Sequence, residues 1–410
     1  MTESKSGQAT GACASAEPVH FCPDFNFREN IDLGAEMGAE PVPKQRYRET
    51  RNALIVKLVM TEWSEPGRWI AYSRDNNSYR VLRWYFGSLM SLPAVLWAVG
   101  TLEHACLIEH RKTRPSPTAR FRSTIRATPE LIGRSRITSV SQLRRNIWEA
   151  IRLKDSSKRL QTYTDNQNVR AWRRDVEAQN EALDALQITL AAPGWWLDAC
   201  GIWTDGARAL NPARNQYHRV FNADWENGGR WYGPAWQGLP SAARARLRIN
   251  SEPVVELDYP HLHPTLMTAE AGCTLDDRDP YEIDGMPRHV VKRAFNTLLN
   301  ADNKNKAIGS LRDKLIGDGF GTYRKAVALV AVVEQRHPAF ADFWGTGKGL
   351  RLQAVDAAIC ARVQKKMREL GQPVLSIHDS FIAPISQKAA LEAAMDEALA
   401  DALRAIALKS

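Results

Sequence analysis

Two aspartates far apart in the chain are the residues best placed to do chemistry. Asp258 ends the run Pro253-Val254-Val255-Glu256-Leu257, and Asp379 interrupts Val374-Leu375-Ser376-Ile377-His378-Asp379-Ser380-Phe381-Ile382-Ala383-Pro384. Each stretch reads as a strand with a carboxylate at its polar break. Carboxylates carried side by side on neighbouring strands repel unless a cation lies between them. Hard divalent ions with oxygen ligands suit such a pair, Mg²⁺ above all and Mn²⁺ as the alternative. The plainer reading of Asp258 is a helix cap, since Pro260 stops the strand and a helix is expected over His261 to Glu270, closing near Gly272. The plainer reading of Asp379 is a hairpin turn.

Cations stand where an anionic substrate would need them. Pro287 opens a predicted helix running from Arg288 to Ala301. On it Arg288, Lys292, Asn296 and Leu299 share one face by i, i+4, i+8 and i+11 spacing. Arg and Lys one turn apart suit a polyphosphate, whereas a solvated helix more often interleaves acids. Upstream, Gly228-Gly229 lets the backbone approach a ligand closely and sets Arg230 beside it, although a plain turn also uses Gly-Gly. Gln353 and Asp356 lie on a strong helix predicted over Leu350 to Leu370. A Gly-rich turn at Gly345, Gly347 and Gly349 lacks the P-loop pattern.

These residues need a scaffold, and 410 residues with 44% hydrophobic content can bury a large core over two or three domains. The formal charge of +9 favours a polyanionic partner. Six scattered cysteines without a C-x-x-C pair argue against a zinc ribbon or a disulfide framework and fit a reducing compartment. With no apolar run near the ~20 residues of a membrane span and no signal-peptide order, a cytoplasmic protein without a membrane role is expected, a monomer.

Along the chain, residues 1–45 read as a mobile arm. Residues 46–137 are aromatic and basic. They carry helical spacing over Arg51 to Met60, Tyr79 to Phe86 and Ala94 to Glu103, then strand-like pieces Cys106 to His110 and Arg120 to Arg126. A basic turn, Lys112 to Pro117, joins the two pieces. This order resembles a winged-helix module, in which the last helix and the flap touch DNA; the plainer reading is a solvated hairpin. Residues 138–195 read as long basic helices, Val140 to Leu153 and Val169 to Leu190, either a charged hairpin or an arm along a nucleic-acid backbone. Residues 196–410 hold the motifs above, with an Ala-rich closing helix from Gln387 to Leu408.

The order of those motifs resembles the polymerase core shared by single-subunit, bacteriophage-type RNA polymerases and family A DNA polymerases. Asn222-Ala223-Asp224-Trp225 followed by Gly229-Arg230-Trp231-Tyr232 is similar to the D-W-x-G-R-x-Y element, whose arginine contacts the template hybrid. Leu257-Asp258-Tyr259 resembles motif A, and His378-Asp379-Ser380-Phe381 the motif C of the RNA polymerases. Arg288, Val290, Lys292, Arg293, Thr297 and Leu298 match the motif B helix, where the arginine and lysine grip the incoming triphosphate. Gln353-x-x-Asp356-Ala357 resembles the segment before motif C, with Gln353 at the position that reads the minor groove. The resemblance implies an α+β right-hand fold of palm, fingers and thumb, with the helices of 138–195 in the thumb's place. It implies a nucleotidyl transfer in which Asp258 and Asp379 hold two Mg²⁺ ions, Arg288 and Lys292 clamp the triphosphate and His378 approaches the primer terminus. Tyr259, His263 and Asn300 fall among the nucleotide-binding positions.

The chain departs from the pattern at the sugar. Asn300 stands where the RNA polymerases have a tyrosine, and Ala301 replaces the following glycine. His263 stands where the DNA polymerases keep a glutamate that blocks a 2′-hydroxyl. The expected activity is DNA-templated RNA or primer synthesis from nucleoside triphosphates, with a DNA template and a nucleic-acid primer or product as partners. The alternatives are a DNA polymerase without proofreading, and a replication initiator that binds DNA with a polymerase core that has lost activity.

Overall fold

The computed structural model describes residues 17–42, 44–113, 122–146, 148–274 and 276–408. It is a mixed α and β chain in two compact units, the described residues up to Trp148 with Leu197–Asn211 forming one, and Glu149–Trp196 with Pro212 onward forming the other. The division therefore falls after Trp148 and not at residue 137, and residues 138–195 are shared between the units.

The first unit begins with β1 (Val19–His20), β2 (Phe25–Phe27), α1 (Leu33–Glu36) and α2 (Gln45–Ser64). Then come β3 (Ile70–Tyr72), α3 (Asn76–Phe86), α4 (Leu92–His104), β4 (Ile108–Arg111), β5 (Ser123–Ala127), α5 (Pro129–Arg134) and β6 (Leu143–Arg145). One sheet runs in the order β1-β3-β5-β4, with β4 and β5 an antiparallel hairpin and β3 antiparallel to β5. The described part of the expected arm is folded. Phe21, Phe25, Phe27, Leu33 and Met37 are buried, large apolar side chains spaced two to six positions apart that reach the core. Arg51, fully buried on α2, holds this segment by an ion pair to Asp32 at 2.5 Å and stacks over Trp97 at 4.8 Å. Residues 1–16 and 43 of the arm, residues 114–117 of the basic turn and the first two residues of the strand-like piece from Arg120 to Arg126 lie outside the described residues. No single described helix is long and apolar enough to cross a membrane; α3 and α4 reach that composition only together, across a 69° bend.

The expected helix over Val140 to Leu153 is replaced by a short helical turn, β6 and β7 (Ile151–Lys154). Ile151 and Leu153 are buried while Arg152 and Lys154 are half-exposed, which is the period of a strand. The second helix is shorter than expected, α6 (Gln167–Asp184), and β8 (Ile188–Leu190) follows it as a strand. In the second unit α6 packs on its own neighbours. Trp172 stacks on Phe221 with ring centroids 4.6 Å apart, and Gln179 donates to the Val374 carbonyl at 2.8 Å.

Three short strands, β9 (Trp196–Leu197), β10 (Trp203–Thr204) and β11 (Ala209–Leu210), make a small separate sheet. The second unit resumes with β12 (His218–Asn222), β13 (Gly228–Tyr232), α7 (Ser241–Arg244), β14 (Leu247–Ile249), β15 (Glu252–Asp258) and α8 (Leu262–Ala271). Four helices follow in the order α9 (Arg288–Asn300), α10 (Lys304–Lys314), α11 (Tyr323–Arg336) and α12 (Gly349–Glu369). The hairpin β16 (Leu375–Ile377) and β17 (Ser380–Pro384) precedes the closing α13 (Lys388–Ala407). The main sheet is ordered β16-β17-β15-β14-β8. Its core is Leu375, Phe381, Ile382 and Ala383 under Val363, Met367 and Leu391, all fully buried. Each large apolar side chain among them contributes about 1.5–3 kcal/mol of burial.

Candidate active site

The two aspartates end adjacent strands of that sheet. β15 and β17 are antiparallel with Asp258 opposite Ser380, so Asp379, in the β16–β17 turn, is one residue beyond that pair. The Tyr259 amide points to the Asp379 carbonyl at 3.4 Å. Asp258 does not cap the helix after it: the cap position of α8 is His261, in the left-handed region at φ 60°. His378 also has a positive φ, 59°, the kind of backbone strain that concentrates at functional turns.

Asp258 is exposed and Asp379 half-buried. Among the described residues neither carboxylate accepts a hydrogen bond or forms an ion pair, whereas the acids around them are tied. Glu256 pairs with Arg244 at 2.7 Å and accepts from Ser380 Oγ at 2.8 Å. Asp356, 1% exposed on α12, receives the Arg230 guanidinium at 2.6 and 2.8 Å. Two bare carboxylates offer only oxygen, the donor set of Mg²⁺ or Mn²⁺. No group of three or more His, Cys, Asp or Glu side chains closes around an ion among the described residues; a two-carboxylate site keeps its other positions for phosphate and water.

Arg230 is the hub behind this edge. Gly228 and Gly229, at φ 82° and 74°, do not make room for a ligand: a Cβ on Gly228 would meet the Val220 carbonyl at 3.0 Å, and one on Gly229 the Phe221 ring at 2.8 Å. They serve the register shift at Val220 and Phe221 in the β12–β13 hairpin. Arg230 is thereby turned to Asp356, and its Nη2 lies 3.4 Å from His263 Nε2. Burial, and then the Arg230 charge, push His263 and His378 down to about 4, so both imidazoles are neutral at pH 7. Burial raises Asp356 to about 6 against the pull of Arg230, which still leaves it ionised at pH 7. His378 packs edge-on to Tyr232 at 5.3 Å.

Helix α9 presents Arg288, Lys292 and Asn300 to solvent, while Leu299, expected on the same face, is fully buried; Asn300 takes its place. Tyr281 lies beneath both cations, 5.4 Å from Arg288 and 5.6 Å from Lys292. Arg288 is paired with Asp279 at 2.5 Å, and Asp279 also caps the turn by accepting from the Tyr281 amide at 2.8 Å. A cavity of about 1030 Å³ runs past Lys292, Asn296 and Asn300, with Lys158, Lys306 and Lys314 also in its wall. Neither aspartate lines it.

No protein-family model matches the chain, and no curated protein matches it. What the site can do is set by its own side chains. Of the residues singled out in the sequence, the structure brings Asp258, Asp379 and His378 to one sheet edge and places Arg230 and His263 in one network. Tyr259 is a correction: its ring is buried and its hydroxyl donates to the Met395 carbonyl at 2.6 Å, so it braces α13 and does not line an open site. Gln353 and Asn300 are joined, Gln353 Nε2 donating to Asn300 Oδ1 at 2.8 Å while Asn300 Nδ2 donates to the Asn296 carbonyl at 2.7 Å. The Asn300 amide is therefore already engaged at both ends. Asp356, Asp279 and Tyr281 enter the site only through the fold; in the sequence, an acid one turn after Gln353 and an Asp-Pro-Tyr turn just before the cationic helix are their signals.

Proposed function

We propose that the second unit is a template-directed nucleotidyltransferase that extends a nucleic-acid chain with nucleoside triphosphates. The observation that carries this is the pair Asp258 and Asp379 on adjacent strand ends, unpartnered among the described residues, beside Glu256 and Asp356, which are neutralised by Arg244 and Arg230. Two like charges left without partners at one edge are costly unless the site works with a cation. Asp258 and Asp379 would hold Mg²⁺, or Mn²⁺ in its place. Two such ions, when bound, lower the pKa of an attacking 3′-hydroxyl and neutralise charge on the leaving pyrophosphate.

The chain's own residues do the rest by position and charge. Lys292, held over the Tyr281 ring without a carboxylate partner among the described residues, is free to meet a triphosphate. Arg288 meets it by exchanging Asp279 for phosphate, so that Asp279 stores the guanidinium in a fixed place until substrate arrives. Neutral His378 and His263 add no charge beside the aspartates. Arg230, saturated by Asp356, fixes the β13 edge and does not grip the template as a free cation. The basic cavity along α9 and α10 fits an unpaired template strand, whose phosphates need charge and reach. Ribonucleotides are the proposed substrates, because the position where DNA polymerases keep a blocking glutamate carries His263, turned towards Arg230. Primer-extension and de novo assays with ribo- and deoxyribonucleoside triphosphates on DNA and RNA templates test the activity.

For the first unit, the order α2, β3, α3, α4, β4, β5, with β3 antiparallel to the second strand of the hairpin, supports a winged-helix reading and a nucleic-acid partner.

A further inference from the structure

The strand that leads into Asp379 is the edge of the main sheet. β16 is three residues long, with β17 on one side and no strand on the other. A short edge strand with open backbone groups is a weak support for a carboxylate that must stand in one place. Here the open side is closed by side chains. Tyr217, 2% exposed and just ahead of β12, sets its hydroxyl against Ser376, which is fully buried. The hydroxyl donates to the Ser376 carbonyl at 2.8 Å and accepts from the Ser376 amide at 2.7 Å. It also accepts from Trp236 Nε1 at 3.2 Å. A hydroxyl offers one proton and two lone pairs. With two N–H groups taking the lone pairs, the proton is left for the Ser376 carbonyl.

Tyr217 is itself tied down. Asn180 on α6 accepts from its amide at 2.6 Å and donates to its carbonyl at 3.0 Å. Its ring meets Trp231 and Trp236 edge-on, with centroids 5.7 and 5.9 Å away. Gln179, beside Asn180, donates to the Val374 carbonyl at 2.8 Å, so α6 supports the same edge twice. The rest of the hairpin is held by other means. β17 lies on β15, and Gln364 on α12 donates to the Ser376 side chain, not its backbone, at 2.7 Å.

We propose that Tyr217 is a positioning residue for Asp379. Its hydroxyl takes the place of a missing strand on β16 and fixes Ser376 from the side opposite β17. It thereby sets where the Asp379 carboxylate, three residues on, stands relative to Asp258. The inference rests on the proposed metal role of the two aspartates, and it gives Tyr217 no contact with substrate. An apolar ring would fill the same space, but only a group that both donates and accepts can hold the amide and the carbonyl of one residue. In Tyr217→Phe the Ser376 amide loses this bond and the carbonyl keeps only Gln237 Nε2, at 3.3 Å.

The test compares full-length wild type, Tyr217→Phe and Gln364→Leu, the last removing a bond to the same serine without touching its backbone. Tyr217→Phe is expected to lower kcat for Mg²⁺-dependent primer extension about 10- to 100-fold, the scale on which misplacing a reacting group acts, with nucleotide KM unchanged. Mn²⁺ binding, read by electron paramagnetic resonance, should weaken about tenfold, as when the support of a metal ligand is lost. Amide hydrogen exchange should speed up across residues 375–379 and hold elsewhere in the second unit. Gln364→Leu should leave kcat and Mn²⁺ affinity unchanged, whatever it does to the melting curve. Equal losses in the two variants, or a loss in Tyr217→Phe that follows its unfolded fraction, mean a core brace only and overturn the inference. Rapid exchange of the Ser376 amide in wild type overturns it too, and needs no variant to fold. If wild type extends primers and Tyr217→Phe matches it in kcat and Mn²⁺ affinity, the positioning role is wrong and synthesis stands. If wild type binds Mn²⁺ but extends nothing, while Tyr217→Phe loses both the ion and the local protection, the positioning role stands and the polymerase reading falls. Wild type that binds no Mn²⁺ ends both.

Discussion

The edge of the main sheet and the helix behind it treat acids in opposite ways. On α12, Asp356 is buried and closed by Arg230, a pair that fixes β13 and stabilises only while it is intact. At the strand ends, Asp258 and Asp379 have no hydrogen-bond or ion-pair partner among the described residues, one of them in open solvent. The first arrangement satisfies the fold. The second is the arrangement on which the proposed metal site rests.

The comparison breaks most sharply by neutralising each side. Asp379→Asn or Asp258→Asn should lower turnover by roughly a thousandfold or more, about 4 kcal/mol of barrier, with template binding and the unfolding midpoint nearly unchanged. Asp356→Ala should do the reverse, costing about 3–5 kcal/mol of stability by stranding the Arg230 guanidinium; urea unfolding reads this directly. Should Asp379→Asn destabilise as much as Asp356→Ala, the two acids would not belong to different classes.

Lys292→Ala should cut kcat/KM about a hundredfold, about 2.7 kcal/mol, while nucleic-acid affinity is kept; single-turnover kinetics with varied nucleotide measures it. His263 gives a smaller, pH-dependent effect. Its folded pKa, about 4, lies below the unfolded value of 6.5, so its share of stability is complete above pH 6.5 and is lost as pH falls towards 4. That share is about 3 kcal/mol, and His263→Gln should make the acid-side fall in Tm shallower. Asp356, raised to about 6, works in the opposite sense, costing stability as pH rises from about 4 to 6. The smallest effect is expected at the Gln353–Asn300 bond. Gln353→Ala frees the Asn300 amide and should change the ratio of ATP to dATP incorporation a few-fold, about 1 kcal/mol.

Local pattern carried much of this. The strand stops at Asp258 and Asp379, and the helix opened by Pro287, are set by neighbours in sequence, and they stand where the sequence places them. The stretch Val140 to Leu153 failed because its charged residues fit a helix face as well as a strand edge, and only burial of Ile151 and Leu153 decides between them. The described part of the N-terminal arm looked structureless because its aromatic residues sit among polar ones; their core is supplied by α2, further along the chain. Arg230 stands out in the sequence beside Gly228-Gly229, but its partner does not. Asp356 lies on a distant helix, and only the β12–β13 bulge aims the guanidinium at it.

One measurement bears on the central claim most directly. Wild type, Asp258→Asn and Asp379→Asn are assayed for primer extension with and without Mg²⁺, alongside template affinity by anisotropy. The account predicts Mg²⁺-dependent extension by wild type, loss of extension in both variants, and template affinity within about twofold of wild type in all three, since no phosphate-binding cation has been removed. Extension by either variant at near wild-type rates would contradict it.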